Sequence, residues 1–175
     1  MRKKLTNEKH LNLFKDENNW IFASRTDLPS EYPNAIVIAA VKKDESDGIL
    51  KLVITREYRA PLRDYEYGLP AGLIEDGESI EDCARRELKE ETGLDLTNII
   101  DVFPQTWNSS GLSDESIHIV LCNCVGNISN ANLQDSEDIE TLLYTKDDEF
   151  PRYSKIATNA LLILCMFKLI SWSKK

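Results

Sequence analysis

The stretch GLIEDGESIEDCARRELKEETGL, residues 72–94, crowds eight carboxylates between Glu75 and Glu91. The chain already carries a formal net charge of −9, and like charges at helical spacing repel by roughly a few tenths of a kcal/mol per pair. The stretch reads as a loop followed by a helix from about Ser79 to Thr92. Ser79 can cap the helix, Asp82 stands three residues on in the place usually given to Glu, and Gly93 stops it. At about 100° per residue, Ile80, Ala84 and Leu88 form an apolar stripe, and Glu91 falls on that stripe. Glu87 lies at its edge and Glu90 farther round on the same side. Glu81, Asp82, Arg85 and Lys89 cover the opposite, solvated face.

A surface helix laced with salt bridges accounts for Glu81, Arg85 and Lys89. It does not account for Glu91, because an unpaired carboxylate on a buried side is costly. Such a cluster is stable if it takes up protons or binds a cation. Oxygens spaced one turn apart suit Mg²⁺ or Mn²⁺.

Outward from the helix, the pattern alternates strands with turn signals. LNLF and NWIFASR read as two short N-terminal strands. AIVIAAV (Ala35–Val41), the turn cluster KKDESDG and ILKLVITREYR (Ile49–Arg59) read as a hairpin. PLRDYEYGLPAG suggests a short strand leading into a tight loop. IIDVFPQTW, SIHIVLCNCV and DIETLLYT are further strands, and a helix is expected from about Tyr153 to Ser171. Strands, a helix, more strands and a last helix describe an α+β chain, an α/β/α sandwich with a mixed β-sheet. The last helix is apolar nearly all round, so burial in the domain or against a second subunit is expected.

The 175 residues suit one domain with a small N-terminal addition. We divide them into an N-terminal strand segment, 1–32, and a main domain, 33–175. A pI of about 4.8 argues against a general nucleic-acid binder, and an anionic substrate would need a cation as intermediary. Cys83, Cys122, Cys124 and Cys165 lack zinc-site spacing and are expected as buried, reduced thiols. MRKKL continues as TNEKHLNLF, with no apolar core after the basic residues, so a cytoplasmic location is expected. ALLILCMFKLI, Ala160–Ile170, is too short for a membrane span of about 20 apolar residues.

Gly72, Glu78 and RELKEETGL (Arg86–Leu94) together resemble the Nudix box at every defining position, over a 23-residue window. The resemblance implies a Nudix hydrolase: an α/β/α sandwich that uses a divalent metal to direct water onto a phosphoanhydride of a nucleoside diphosphate linked to another moiety. It implies Glu87 and Glu91 as metal ligands, Glu90 as a further or water-mediated ligand, and Glu78 as a supporting residue. It also implies Arg86 as the residue that orients a box glutamate. Gly72 and Gly93 would permit the tight turns at either end.

REYRAP (Arg56–Pro61), LPAGLIEDGE (Leu69–Glu78) and SGLSDESIHIV (Ser110–Val120) are similar to the ADP-ribose and ADP-sugar pyrophosphatase branch. That likeness implies the Ala71 carbonyl as a metal ligand and substrate contacts from Arg56, Arg59 and Gly111. Arg59 reads equally as a surface charge at a strand end. The branch's catalytic base maps to Glu137 in DSEDIE, with Glu115 in SDES as its rival. A solvated acidic loop is the plainer reading of Glu137. Trp20 stands as a residue that stacks on adenine, across a homodimer in some members, or as a core residue. Gly68 and Ser110 depart from the branch's usual Glu and Pro near the sugar half. ADP-ribose or a related nucleotide sugar is therefore the expected substrate. Another nucleoside diphosphate derivative and a non-catalytic nucleotide-sugar sensor are the alternatives.

Overall fold

The computed structural model describes residues 2–27, 34–133, 138–149 and 155–172. The chain opens with β1 (Lys3–Lys4), β2 (Asn12–Lys15) and β3 (Ile21–Ser24), which form a separate antiparallel three-stranded sheet. The main sheet begins with β4 (Ala35–Lys43), β5 (Leu50–Arg59), β6 (Asp64–Gly68) and β7 (Ala71–Leu73). Helix α1 (Ile80–Thr92) follows, then β8 (Asp95–Val102), β9 (Thr106–Trp107), β10 (Ser116–Val125), β11 (Ile139–Tyr144), β12 (Lys155–Ile156) and α2 (Thr158–Trp172).

The main sheet is mixed. Its strand order is β12-β6-β5-β4-β10-β8, with β10 parallel to β4, β12 parallel to β6 and β4–β5 an antiparallel hairpin. Two-residue alternation along β4 and β10 supplies two apolar faces. Ile36, Ile38, Ala40, Val120 and Cys122 pack with Ala84 and Leu88 of α1. Val37, Ala39 and Ile117 pack with Ala160, Ile163 and Leu164 of α2. The result is the expected three-layer sandwich.

The start of the last helix is corrected, and of its two expected forms of burial the one wholly within the domain is set aside. Residues 155–156 pair with Glu66 and Tyr67 of β6, so the helix starts at Thr158 rather than near Tyr153, itself outside the described residues. The helix is also buried on one side only. Leu161, Leu162 and Met166 are exposed, because a helix lying on a sheet can turn only one stripe inward.

Cys165 shares that outer face and is exposed, unlike the buried thiol expected for it. Cys83 and Cys122 lie in the core, where burial pushes their thiols up to about 12, and Cys124 is pushed up to about 11. A thiolate-specific disulfide reagent at mildly alkaline pH is therefore expected to titrate Cys165 quickly in the native chain. All four cysteines should react after unfolding. Rapid reaction of two or more thiols in the native chain would contradict the packing described.

Candidate active site

Helix α1 sets the geometry. Ser79 caps it: its Oγ accepts the Asp82 backbone N–H at 3.1 Å and donates to Asp82 Oδ2 at 2.6 Å. Gly93, at φ 75°, ends the helix and donates its N–H to Lys89 O. Between these caps the 3.6-residue period brings Glu87 and Glu91 to the buried side, 9% and 6% exposed, with Ala84 and Leu88. Glu90 is half-buried, and Glu81 is exposed and paired with Arg85.

Strand β7 meets the two buried glutamates backbone-first. The Ala71 N–H donates to Glu91 Oε2 at 3.2 Å. At Gly72 an added Cβ would lie 1.8 Å from the Glu87 carboxyl carbon and from Oε1. Gly72 is thus required by close approach, since its missing side chain is the space in which the Glu87 carboxylate sits.

Arg86 gathers the remaining charge. Its Nε and Nη2 donate to the two Glu78 oxygens, each at 2.8 Å, in a bidentate pair. Nη1 donates to Glu87 Oε1 at 2.6 Å and Glu90 Oε2 at 3.4 Å, and Nη2 also reaches Leu73 O at 3.0 Å. The Arg86 guanidinium holds the Glu78 carboxyl down at about 2, and the Glu75 N–H on Glu78 Oε2 adds to the effect. Arg86 itself is held well above the usual range by Glu78 and Glu87.

Glu78 therefore contributes stability above its ordinary value near 4.5. That contribution is lost as the pH falls through the depressed value of about 2. Melting temperature between pH 5 and pH 2 should fall more steeply for the wild type than for Glu78→Gln. Parallel curves would show that the pair carries no such linkage.

The donor chemistry fits a hard divalent cation: carboxylates from one helix face, held against strand β7, whose Leu73 carbonyl accepts from Arg86 Nη2. Gly72 leaves a cradle for Glu87, which a Cβ would fill. Among the described residues no three acidic, His or Cys side chains converge on one point as they stand. Glu78, Glu87 and Glu90 close on the Arg86 guanidinium instead.

A cavity of about 400 Å³ opens beside this cluster. Ala71 and Gly72, the residues that Glu91 and Glu87 touch, line it together with Arg59, Glu115 and Arg25. Arg59 pairs with Glu57 at 2.6 Å and, at 3.6 Å, with Glu66. Glu115 Oε1 accepts from Arg25 Nε at 2.7 Å. The loop bearing Glu115 docks on the N-terminal sheet, where Asp114 Oδ2 accepts from Arg2 at 2.7 Å and from Ser24 Oγ at 2.9 Å.

Arg56, Gly111 and Trp20 are not among the residues lining this cavity. Arg56 pairs with Glu140 and stacks on Tyr65, its guanidinium 3.9 Å from the ring centre. Gly111 is exposed in a turn, and a Cβ there would meet nothing within 4 Å. Trp20 is 61% exposed in the turn between β2 and β3, so the core alternative for it is set aside. Glu137 lies outside the described residues. Arg25, Glu66 and Asn159 line the cavity without having been anticipated. Single polar residues at strand and helix ends carry no periodicity that could have marked them.

The NUDIX domain family profile matches residues 32–159. An ADP-ribose pyrophosphatase of Bacillus subtilis is 30% identical over 119 residues, covering 67% of this chain and 61% of that protein. An ADP-ribose pyrophosphatase of Saccharomyces cerevisiae is 32% identical, covering 62% and 48%. A methanol dehydrogenase activator of Bacillus methanolicus is 30% identical, covering 71% and 64%. The chain thus spans about half to two thirds of the length of these relatives. The fold is shared with a crystal structure of an ADP compounds hydrolase, at a TM-score of 0.65 and 18% identity, covering 99% of this chain and 92% of that one.

Proposed function

The chain belongs to the NUDIX domain family, and on that premise we propose that it hydrolyses the diphosphate linkage of ADP-ribose or a related nucleotide sugar. The products would be AMP, or another nucleoside monophosphate, and a sugar phosphate. One observation carries the reading. The backbone that holds Glu87 and Glu91 in place, Ala71 and Gly72, is also the wall of a cavity that contains Arg59.

Glu87, Glu91 and the Ala71 carbonyl, with Glu90 and Glu78 in support, are the residues that would hold Mg²⁺ or Mn²⁺. Such an ion, when bound, offsets the diphosphate charge and makes phosphorus more electrophilic. The chain's own residues supply the rest. Arg86 fixes the Glu87 carboxylate, and the Ala71 N–H fixes that of Glu91. Arg59 offers planar donors to a phosphate oxygen. A carboxylate takes the proton of the attacking water as its oxygen joins phosphorus and the bridging oxygen leaves with the other phosphate. Glu115 stands on the cavity wall for that role, with Glu137 as the alternative.

The test is product analysis. With ADP-ribose and Mg²⁺, release of AMP and ribose 5-phosphate is expected at a rate typical of enzymes, at or above roughly 1 s⁻¹. Faster turnover of another nucleoside diphosphate derivative would move the substrate while keeping the reaction. No turnover of any of them would sink the reading and favour a binding role.

The N-terminal sheet turns Leu11, Leu13 and Ile21 to solvent. Three apolar side chains exposed at one small sheet are the observation behind a homodimer, the form we propose. Light scattering should then give twice the 20.0 kDa of one chain; a monomer at micromolar concentration would contradict it.

A further inference from the structure

The cavity beside the glutamates is bounded in part by the start of the terminal helix, through Ala157, Thr158 and Asn159. The Asn159 side-chain oxygen accepts the Ala160 N–H at 2.6 Å. That leaves its NH₂ group as a donor for which no acceptor is present among the described residues, on a side chain that belongs to the cavity lining. Two carboxylates share the cavity, Glu66 tied to Arg59 and Glu115 tied to Arg25. The remaining lining includes apolar Ala35, Val37 and Ile117.

This set discriminates among substrates. Arginines suit the diphosphate. A further phosphate would be placed among Glu66 and Glu115 and repelled. A second nucleobase would call for a flat aromatic surface, and among the described residues none that lines the cavity is aromatic. Neighbouring hydroxyls fit, because each can donate to a carboxylate and accept from an amide NH₂.

We propose that Asn159 determines specificity by donating to a hydroxyl of the sugar half of the substrate, with Glu66 accepting from a neighbouring hydroxyl. This rests on the diphosphate-hydrolase reading above. It adds a residue from α2, an element remote in sequence from the glutamate motif.

Asn159→Ser tests it, since serine keeps an oxygen for the Ala160 N–H but removes the NH₂ donor. The comparison is between ADP-ribose and the methyl ester of ADP, which has the diphosphate and no sugar. The variant should lose about tenfold in kcat/KM for ADP-ribose, the scale of one net hydrogen bond, and nothing measurable for the methyl ester. Asn159→Ala should show the same selective loss, with an unchanged circular dichroism spectrum. Equal losses on both substrates, or no loss on ADP-ribose, would overturn the proposal.

Calorimetric titration with ribose 5-phosphate and with inorganic phosphate separates this inference from the activity on which it rests. If the wild type hydrolyses neither nucleotide yet binds ribose 5-phosphate in an Asn159-dependent way, the hydrolase reading fails and the sugar subsite stands. If ribose 5-phosphate and phosphate bind alike in wild type and variant, the sugar subsite fails.

Discussion

Gly72→Ala should cost about 100-fold or more in kcat/KM for ADP-ribose, the scale of a displacement near 1 Å at a reacting centre. The alanine Cβ would fall 1.8 Å from the carboxyl carbon of Glu87, so the carboxylate must leave its place. Backbone strain cannot be the cause, because Gly72 is not among the positive-φ glycines. The damage is steric and local. Overpacking of this kind also lowers stability, by about 1–3 kcal/mol. The readouts are steady-state kinetics and chemical denaturation on the same sample. Wild-type kinetics in the variant would show that the Glu87 carboxylate need not sit where the fold holds it.

Arg86→Met should cost about 3–5 kcal/mol of stability, the scale of removing one partner from a buried ion pair. Arg86 holds Glu78, Glu87 and Glu90 together, and methionine would leave one buried and two half-buried carboxylates facing one another. The loss should shrink in millimolar Mg²⁺. A cation bound only to the folded chain stabilises it by about 2.7 kcal/mol when present at 100 times its dissociation constant. The variant should therefore gain more in melting temperature from Mg²⁺ than the wild type, in which Arg86 already neutralises the cluster. Equal gains would separate Arg86 from the proposed cation site.

The helix and its caps could be read in advance because local rules decide them. Ser79, Gly93 and the apolar spacing of Ile80, Ala84 and Leu88 all lie within a few turns of one another, and that arithmetic also turned Glu91 inward. The β4–β5 hairpin was equally visible, since two apolar runs flank one polar turn. What sequence spacing did not reveal depends on contacts between distant segments. The pairing of Lys155 and Ile156 with β6 rests on two residues and has no period of its own. A continuous apolar pattern around α2 gave no hint of which side the sheet would cover, so Cys165 was misplaced.

The site divides along the same line. Glu87, Glu90, Glu91, Glu78 and Arg86 share one loop and helix, and their mutual contacts follow from helical geometry. The cavity draws Arg25 from the turn just after β3, Glu66 from β6, Glu115 from the loop before β10 and Asn159 from α2. No interval along the chain links these residues. Packing brings them together, and the docking of the 112–115 loop on the N-terminal sheet is one example, with the Ala23 N–H donating to Leu112 O at 2.8 Å.

Direct titration with Mn²⁺, followed by the loss of its free-ion paramagnetic resonance signal, bears most closely on the glutamate cluster as a cation site. The wild type should bind saturably. Glu87→Gln and Glu91→Gln should each weaken binding by at least about tenfold, the lower end of the range for a disturbed metal site. Glu81→Gln, on the solvated face, should bind as the wild type does. Undiminished binding by both Glu87→Gln and Glu91→Gln would contradict the account.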